Sequence, residues 1–313
     1  MVRVALFGCG WIQDFHARAV QACGGEVVAV ANHREESALA FAERHGIARV
    51  TTDWETLASA PDVDAGVVAT PNALHAPQSI ALLEAGKHVM VEKPMAMTVA
   101  ECDAMIVASR ASGASLMVAH CWRFHDDVRA IRERIASGEL GEVVKTRGYG
   151  VHAGWGPSGW FAQRALAGGG ALPDMGVHAI DTARFLLGDP EPGRVCATVG
   201  TRYGTYDVDD DAIVLISWSN GTNSIVESGW WHPHKEGLEA ETEVYGTGGY
   251  ARIFPREEPS EDYEHCTQPM YTAQMGEFLG AIAEGRPPRP SGEDGRVVMR
   301  IVEDAYASAG WPA

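Results

Sequence analysis

The sequence predicts an α/β protein with an N-terminal doubly wound parallel sheet and a C-terminal α+β domain that has an open, mostly antiparallel sheet. Its first third alternates short apolar runs with helical patterns of about ten residues, which is typical of βαβ units. After about residue 120, longer strand-like runs follow one another, with Gly and Asn at their connections. The length of 313 residues also suits two domains. We therefore predict domains at residues 1–120 and 121–313, and we expect the last helix to pack back on the first domain.

The apolar runs of the first domain are short, as expected for strands that are buried on both faces of a parallel sheet. Helical patterns separate them, and the connections in such sheets are almost always right-handed. The predicted strands are Val2–Phe7, Glu26–Ala31, Asp64–Ala69, His88–Val91 and Ser115–Ala119. The predicted helices are Trp11–Ala22, Glu35–Arg44, Ala76–Ala85 and Val99–Ala111.

The second domain has longer strand patterns and a strong hairpin signal at Ser219-Asn220-Gly221. The predicted strands are Val143–Val151, Arg194–Tyr203, Asp211–Trp218, Asn223–Trp231 and Glu239–Tyr245, and the predicted helices are Met175–Leu187, Tyr271–Glu284 and Glu293–Ala309. Because neighbouring strand residues face opposite sides, one of Trp230 and Trp231 should pack on the helices and the other should face outward. We expect the open face of the sheet to form a homodimer or homotetramer contact.

Composition and charge exclude several classes of function. The net charge is −17 and the chain has no block of Lys and Arg, which argues against binding to nucleic acid or to an anionic membrane. The N-terminal apolar run is too short for a signal peptide, and no apolar stretch approaches the length of about 18 residues that indicates a membrane span. Six cysteines have no CxxC spacing, so we expect buried, reduced thiols, no metal site and a cytoplasmic location.

A glycine-rich loop directly follows the first predicted strand and opens the first helix. It reads Gly8-Cys9-Gly10-Trp11-Ile12-Gln13, and this context fits the Rossmann dinucleotide fingerprint. Gly8 permits a tight turn, Gly10 lets the backbone approach a pyrophosphate, and the helix N-terminus favours an anion. Gln13 replaces the third glycine, so the packing of helix on strand there should be looser or differently arranged. The alternative is a tight turn from strand to helix without a ligand.

The end of the second strand bears on the choice between NAD and NADP. An acidic residue expected there would bind the ribose hydroxyls of NAD, but the sequence reads Asn32-His33-Arg34. Arg34 could pair with a 2′-phosphate. We therefore favour NADP over NAD, and the alternative is that Arg34 only begins a solvated helix.

Three further segments carry residues of reactive types. Thr70-Pro71-Asn72-Ala73-Leu74-His75 follows the strand at Asp64–Ala69, and Glu92-Lys93-Pro94 follows the strand at His88–Val91. Both lie at the carboxyl ends of parallel strands, where such sheets bind ligands. The third segment runs from Gly168-Gly169-Gly170 through Asp174 to His178. Asp174 and His178 are four residues apart, so in a helix they share a face.

Together these motifs resemble the Gfo/Idh/MocA oxidoreductase family, which is named for glucose–fructose oxidoreductase and inositol dehydrogenase. The resemblance covers nearly the whole chain and departs at Gln13, at Asn32 and in its short length. It implies a Rossmann domain, a C-terminal α/β domain with a pocket between the two, a cis bond at Lys93–Pro94, and hydride transfer between a nicotinamide and a sugar, polyol or inositol carbon. By resemblance, Lys93, Asp174 and His178 are the catalytic residues. The residues expected at the cofactor are Gly8, Cys9, Gly10, Trp11, Ile12, Asn32, His33, Arg34, Thr70, Pro71, Asn72, His75, Glu92 and Lys93.

The chemistry of an alcohol oxidation suits these residue types. Imidazole is a suitable base at neutral pH for the hydroxyl proton, Asp174 can orient it or bind a neighbouring hydroxyl, and Lys93 can stabilise negative charge on the reacting oxygen. The alternatives are that Lys93 is a solvated residue at the end of a strand, that Asp174 only caps a helix, and that His178 is a core histidine. Glu92 is expected to position its loop rather than to react.

Aromatic and basic residues suggest where a small neutral carbohydrate could bind. The candidates are Arg123, His152, Trp155, Trp160 and Arg164. For Arg123 the alternative is a structural ion pair, and for the aromatic residues it is packing within the domain. A non-catalytic regulator that senses dinucleotides is the alternative function, although such a protein should lack Lys93 or His178. A third candidate, redox chemistry within the cleavage of a glycoside, would be recognised by its cleavage products.

Overall fold

The computed structural model describes residues 1–233, 240–253 and 263–312. The chain divides into two compact units, one of Met1–Ala119 with Thr267–Arg296 and the other of His120–Cys266 with Val297–Ala313. Residues 267–296 thus group with the first unit, whereas the predicted division placed them in the second domain. The last helix, Gly292–Ala309, is divided between the two units at residue 296, and the expectation that it packs back on the first domain stays a prediction.

The first unit contains a six-stranded parallel sheet. Its strands are β1 (Arg3–Phe7), β2 (Glu26–Ala31), β3 (Arg49–Thr51), β4 (Ala65–Val68), β5 (His88–Glu92) and β6 (Leu116–Ala119). The helices between them are α1 (Trp11–Ala22), α2 (Glu35–His45), α3 (Trp54–Ala58), α4 (His75–Glu84) and α5 (Val99–Ser112). The strand order is β3-β2-β1-β4-β5-β6, which confirms the predicted doubly wound sheet. Because the order reverses between β1 and β4, the segments that follow these two strands lie side by side at the switch point.

The second unit contains a mixed sheet. Its strands are β7 (Val143–Ala153), β8 (Pro192–Gly200), β9 (Asp211–Trp218), β10 (Asn223–His232), β11 (Ala240–Gly246) and β12 (Tyr250–Ile253). The helices that follow β6 in the chain are α6 (Asp126–Ala136), α7 (Arg164–Ala167), α8 (Val177–Leu186), α9 (Tyr263–Glu284) and α10 (Gly292–Ala309). The strand order is β12-β11-β7-β10-β9-β8. Among the described strands of this sheet, β7 and β10 are the only parallel neighbours and the other pairs are antiparallel, so the mostly antiparallel sheet is confirmed.

Several short or polar elements were not predicted. Strands β3 and β12 have three and four residues, too few to show an alternating pattern. Helix α6 buries only Val128 and Ile131, so its apolar stripe is narrow. Helix α9 begins eight residues before its predicted start and contains Pro269, a residue that normally marks a helix boundary. The predicted strand residue Glu239 lies outside the described residues.

Burial bears out one packing prediction and corrects another. Trp230 is fully buried while Trp231 is 42% exposed, which confirms that this pair faces opposite sides of β10. The cysteines were all expected to be buried, but Cys9, Cys23 and Cys196 are only half-buried, while Cys102 and Cys121 are buried. The side chain of Cys266 lies outside the described residues. Cys9 and Cys23 lie just outside the two ends of α1, and Cys196 lies in β8, most of whose residues are partly exposed. None of the helices in the described ranges is long and apolar enough to span a membrane.

Candidate active site

The loop after β1 is shaped by two glycines with different roles. Gly8 has a φ of +98°, and a Cβ atom there would lie 2.5 Å from the carbonyl oxygen of Ala69. Its N–H donates to the carbonyl of Ala31 at 2.8 Å, so the loop is held against the ends of β2 and β4. Gly10 is the N-cap residue of α1, and a Cβ atom there would meet no atom within 4 Å. Gly8 is therefore required by the fold itself, whereas the space beside Gly10 is open to a ligand.

Gln13 occupies the position of the third fingerprint glycine. Its side chain is fully buried, and its Nε2 donates to the carbonyl of Val67 in β4 at 3.2 Å. The different packing expected here is thus an amide that bridges α1 to the central strands. Next to it in the loop, Cys9 and Ile12 are half-buried and Trp11 is exposed.

The end of β2 presents polar and basic side chains. Asn32 is half-buried and its Nδ2 donates to the carbonyl of Arg34 at 3.0 Å, while His33 and Arg34 are exposed. Burial raises the pKa of the Cys9 thiol, and the positive charges of Arg34 and Arg44 partly oppose that effect. Both guanidinium groups therefore lie within electrostatic reach of the glycine-rich loop.

The segments after β4 and β5 are joined by His75. Its Nδ1 lies 2.8 Å from the carbonyl oxygen of Pro94, and its Nε2 lies 2.9 Å from that of Thr70. Burial lowers the pKa of His75, although both carbonyl groups act in the opposite direction. Within the segment after β4, Asn72 is buried and Pro71 is half-buried. The Lys93–Pro94 bond is cis, as the resemblance implied.

Glu92 is a buried carboxylate at the end of β5. Its Oε2 accepts a hydrogen bond from the backbone N–H of Lys93 at 3.1 Å. Burial alone would raise its pKa, but a hydrogen bond from His16 and the charge of Lys93 hold that pKa below its usual value. An ionised carboxylate so placed fixes the backbone at Lys93, which fits the predicted positioning role.

In the second unit, Asp174 lies in a π-helical turn, Leu172–Gly176, and His178 lies in the first turn of α8. Asp174 Oδ2 accepts a hydrogen bond from Trp230 Nε1 at 3.0 Å and lies 3.4 Å from His152 Nε2. The His178 ring stacks on Trp122, with 4.6 Å between centroids and 15° between planes. The predicted helix Met175–Leu187 is therefore interrupted at its start, where a wider turn carries the aspartate.

The glycine-rich segment before this turn is organised by a second buried carboxylate. Asp209 is fully buried and accepts hydrogen bonds from the N–H groups of Gly170 at 2.7 Å and Leu172 at 2.8 Å. The hydroxyl of Tyr306 donates to the same carboxylate at 2.6 Å. A Cβ atom on Gly170 would collide with the backbone of Asp209, which explains the need for glycine there.

The substrate candidates fall into different environments. Arg123 donates to both oxygens of Asp181 at 2.7 Å and lies 3.0 Å from Asp189. This arrangement matches the structural ion pair that was named as the alternative to substrate binding. His152 packs against Trp155, with ring centroids 3.7 Å apart and planes tilted by 31°. Because His152 Nε2 also lies 3.4 Å from Asp174, it links Trp155 to that carboxylate.

The other two candidates make structural contacts within the second unit. Trp160 stacks on Phe161 with 3.8 Å between centroids. Arg164 donates through Nε to the carbonyl of Asp207 at 2.9 Å and also bonds the carbonyl of Pro312. These contacts give both residues a role in packing the segment before the glycine triplet.

Comparison with known proteins shows which family the chain belongs to. Residues 2–120 match the GFO_IDH_MocA model, an oxidoreductase family with an NAD-binding Rossmann fold, and residues 128–252 match the GFO/IDH/MocA C-terminal domain. The chain is 32% identical to 1,5-anhydro-D-fructose reductase of Ensifer adhaerens, over 94% of this chain and 92% of that protein. The chain belongs to the Gfo/Idh/MocA family. The resemblance seen in the motifs is confirmed.

Other Gfo/Idh/MocA relatives cover the chain from end to end. Levoglucosan dehydrogenase of Pseudarthrobacter phenanthrenivorans is 30% identical over 98% of this chain and 96% of its own length. The crystal structure of GenD2 from gentamicin A biosynthesis, in complex with NAD, superposes with a TM-score of 0.90 at 27% identity, covering 99% of this chain and 94% of that one.

Sequence reasoning missed four residues that support the candidate active site. His16 contacts Glu92, which lies 76 positions away in the chain. Asp209 contacts the glycine-rich segment 37 to 39 positions away. Tyr306 lies 97 positions from Asp209, and Trp122 reaches His178 by ring stacking. The run Asp209-Asp210-Asp211 ahead of a strand was a visible signal, because buried acidic residues need partners.

Proposed function

We propose that this chain catalyses hydride transfer between NAD or NADP and a CH–OH or C=O carbon of a sugar, sugar derivative, polyol or inositol. The observation that carries the proposal is that this chain has Lys93 beside the anchored carboxylate of Glu92, and has Asp174 and His178 next to Trp230 and Trp122. Relatives named for their action on anhydrosugars support the substrate class.

The glycine-rich loop fits a dinucleotide. The open space beside Gly10 and the start of α1, which no side chain caps, suit a pyrophosphate. We assign the loop to the pyrophosphate, residues 32–34 to the adenosine ribose, and the segments at 70–75 and 92–93 to the nicotinamide half. When bound, the cofactor would accept or supply the hydride.

The chain's own residues supply the proton chemistry. In the oxidative direction, His178 takes the hydroxyl proton as the C–H bond gives up its hydride, and the carbonyl product forms. Lys93 hydrogen-bonds the reacting oxygen and stabilises its negative charge. Asp174, held by Trp230, orients the reacting groups or binds a neighbouring hydroxyl. His152 and Trp155 lie beside Asp174 and could contact the apolar face of a sugar ring.

A screen of sugars and polyols, with NAD and NADP supplied separately, tests this function. Turnover is measured by the absorbance of the reduced nicotinamide. The proposal expects turnover with at least one neutral carbohydrate and none without nucleotide. A chain that binds nucleotide tightly but turns over no member of the panel, in either direction, would favour the alternative of a dinucleotide-sensing regulator.

Two glycine variants separate a ligand site from a mere turn. Gly8→Ala should destabilise the fold by about 1–3 kcal/mol or more, because it combines a positive φ with a steric collision. Gly10→Ala should leave thermal stability nearly unchanged, since its Cβ meets no protein atom, and should weaken nucleotide binding about ten-fold or more by obstructing backbone approach. Thermal melts and nucleotide titrations distinguish the two, and an unaltered nucleotide affinity of Gly10→Ala would contradict the assigned pyrophosphate site.

Arg34 is proposed to select NADP through a 2′-phosphate. Arg34→Ala should lower the kcat/KM for NADP about ten-fold or more while changing that for NAD little, because one charge-assisted pair is lost. Arg49→Ala, which removes a half-buried arginine paired with Asp62, is the matched control. Equal losses with both nucleotides would remove this role from Arg34.

A further inference from the structure

A buried histidine on the dinucleotide helix reaches the catalytic segment. His16 lies on α1 and is fully buried, and its Nε2 is 2.8 Å from Oε1 of Glu92. The other oxygen of that carboxylate accepts the backbone N–H of Lys93. Glu92 is therefore shared between the helix that follows the glycine-rich loop and the residue that is proposed to act on the substrate oxygen.

The other atoms around His16 leave Glu92 as the partner of its ring in the described part of the chain. Its Nδ1 is buried and makes no hydrogen bond to any residue in the described ranges, and the ring of Tyr271 packs against it at 5.0 Å between centroids. Nε2 is the ring nitrogen that faces the carboxylate, so a hydrogen bond from it favours the ionised form of Glu92.

The charge of Lys93 attracts the Glu92 carboxylate and helps to keep it ionised. By the same interaction the carboxylate stabilises the Lys93 ammonium. The titratable groups around this segment are His16 from α1, His75 from the start of α4, Tyr271 from α9, and Glu92 and Lys93 themselves. His75 holds the same segment from its other side, through the carbonyl of Pro94.

We propose that His16 is a positioning residue for Lys93, because it keeps the Glu92 carboxylate ionised and fixed, and thereby fixes the backbone and the charge of Lys93. This inference rests on the proposed function only for its kinetic consequence. Without the His16 donor, Lys93 alone of these two residues still opposes the effect of burial, and Glu92 should take up a proton at a higher pH, as buried glutamates do.

The chain contains four lysines, Lys87, Lys93, Lys145 and Lys235, so ε-¹³C labelling of lysine gives a spectrum in which Lys93 can be assigned from the Lys93→Met variant. In the full-length His16→Leu protein, the Lys93 signal should show a new inflection between about pH 5 and 8, caused by protonation of Glu92. The wild type and the double variant His16→Leu/Glu92→Gln should lack it. His16→Gln, which restores an amide donor, should also lack it or shift it back toward acid pH.

The kinetic counterpart is an acidic limb of the kcat/KM profile that moves to higher pH in His16→Leu, with nucleotide affinity within about two-fold of wild type. The inference is overturned if the Lys93 signal of His16→Leu has no inflection above about pH 5, or if its only effect is on nucleotide affinity. Should His16→Leu fail to fold, His16→Gln and Glu92→Gln carry the same comparison. Absence of turnover in the wild type would refute the proposed function, while the titration would still decide the role of His16.

Discussion

Lys93→Met is expected to lower kcat/KM for the carbohydrate by about 10²- to 10³-fold, the cost of removing one preorganised donor to a developing oxyanion. Methionine keeps much of the length and apolar volume of the lysine stem but removes its charge.

His178→Ala should lower kcat/KM for the carbohydrate by about 10²- to 10⁴-fold, because it removes the general base. Steady-state kinetics on the substrate found in the screen, together with nucleotide titrations, measure both effects.

The control for Lys93→Met is Lys87→Met, because Lys87 directly precedes β5 and Lys93 directly follows it. The two variants remove the same charge from opposite ends of one strand. Only Lys93→Met should lose activity, and both should bind nucleotide nearly as the wild type does. Wild-type turnover in both Lys93→Met and His178→Ala would dismiss the proposed chemistry, and an equal loss in both lysine variants would indicate an effect of net charge.

The parts of the fold that sequence could predict are those dictated by local periodicity. Helix α1 and strand β2 begin and end at the predicted residues, because a glycine-rich loop and a run of apolar residues set sharp limits. The π-helical turn at 172–176 was not predicted, since it depends on Asp209 drawing the N–H groups of Gly170 and Leu172 inward. Sequence periodicity alone does not contain that long-range contact.

The same distinction holds for the candidate site. The motifs marked Lys93, Asp174 and His178, since each follows a recognisable strand or glycine run. The residues that support this site, such as His16 and Trp122, cannot be recognised from their neighbours in the sequence. A histidine on one face of a helix is most often interpreted as an ordinary core or surface residue. Gln13 was visible as a departure, but only the structure shows that its amide takes the place of a close glycine contact.

Asp181→Ala is expected to lower the free energy of unfolding by about 3–5 kcal/mol, the usual cost of breaking a buried ion pair by removing one partner. Arg123 is only 4% exposed and Asp181 is 1% exposed, and two hydrogen bonds of 2.7 Å join them. Without Asp181, the guanidinium keeps the nearby carboxylate of Asp189 at 3.0 Å but loses its bidentate partner. Urea unfolding followed by tryptophan fluorescence measures the loss.

The double variant Arg123→Met/Asp181→Leu separates the cost of an unpaired charge from the value of the pair. Apolar residues of similar volume often replace a buried ion pair at little net cost, so the double variant should recover most of the stability that Asp181→Ala loses. It also decides between the two roles considered for Arg123. If Arg123 is structural, as its pairing with Asp181 indicates, the double variant should keep a kcat/KM within a few-fold of wild type. A stable double variant with a loss of about a hundred-fold or more would instead mean that the guanidinium acts on the substrate, and that Asp181 serves to hold it there.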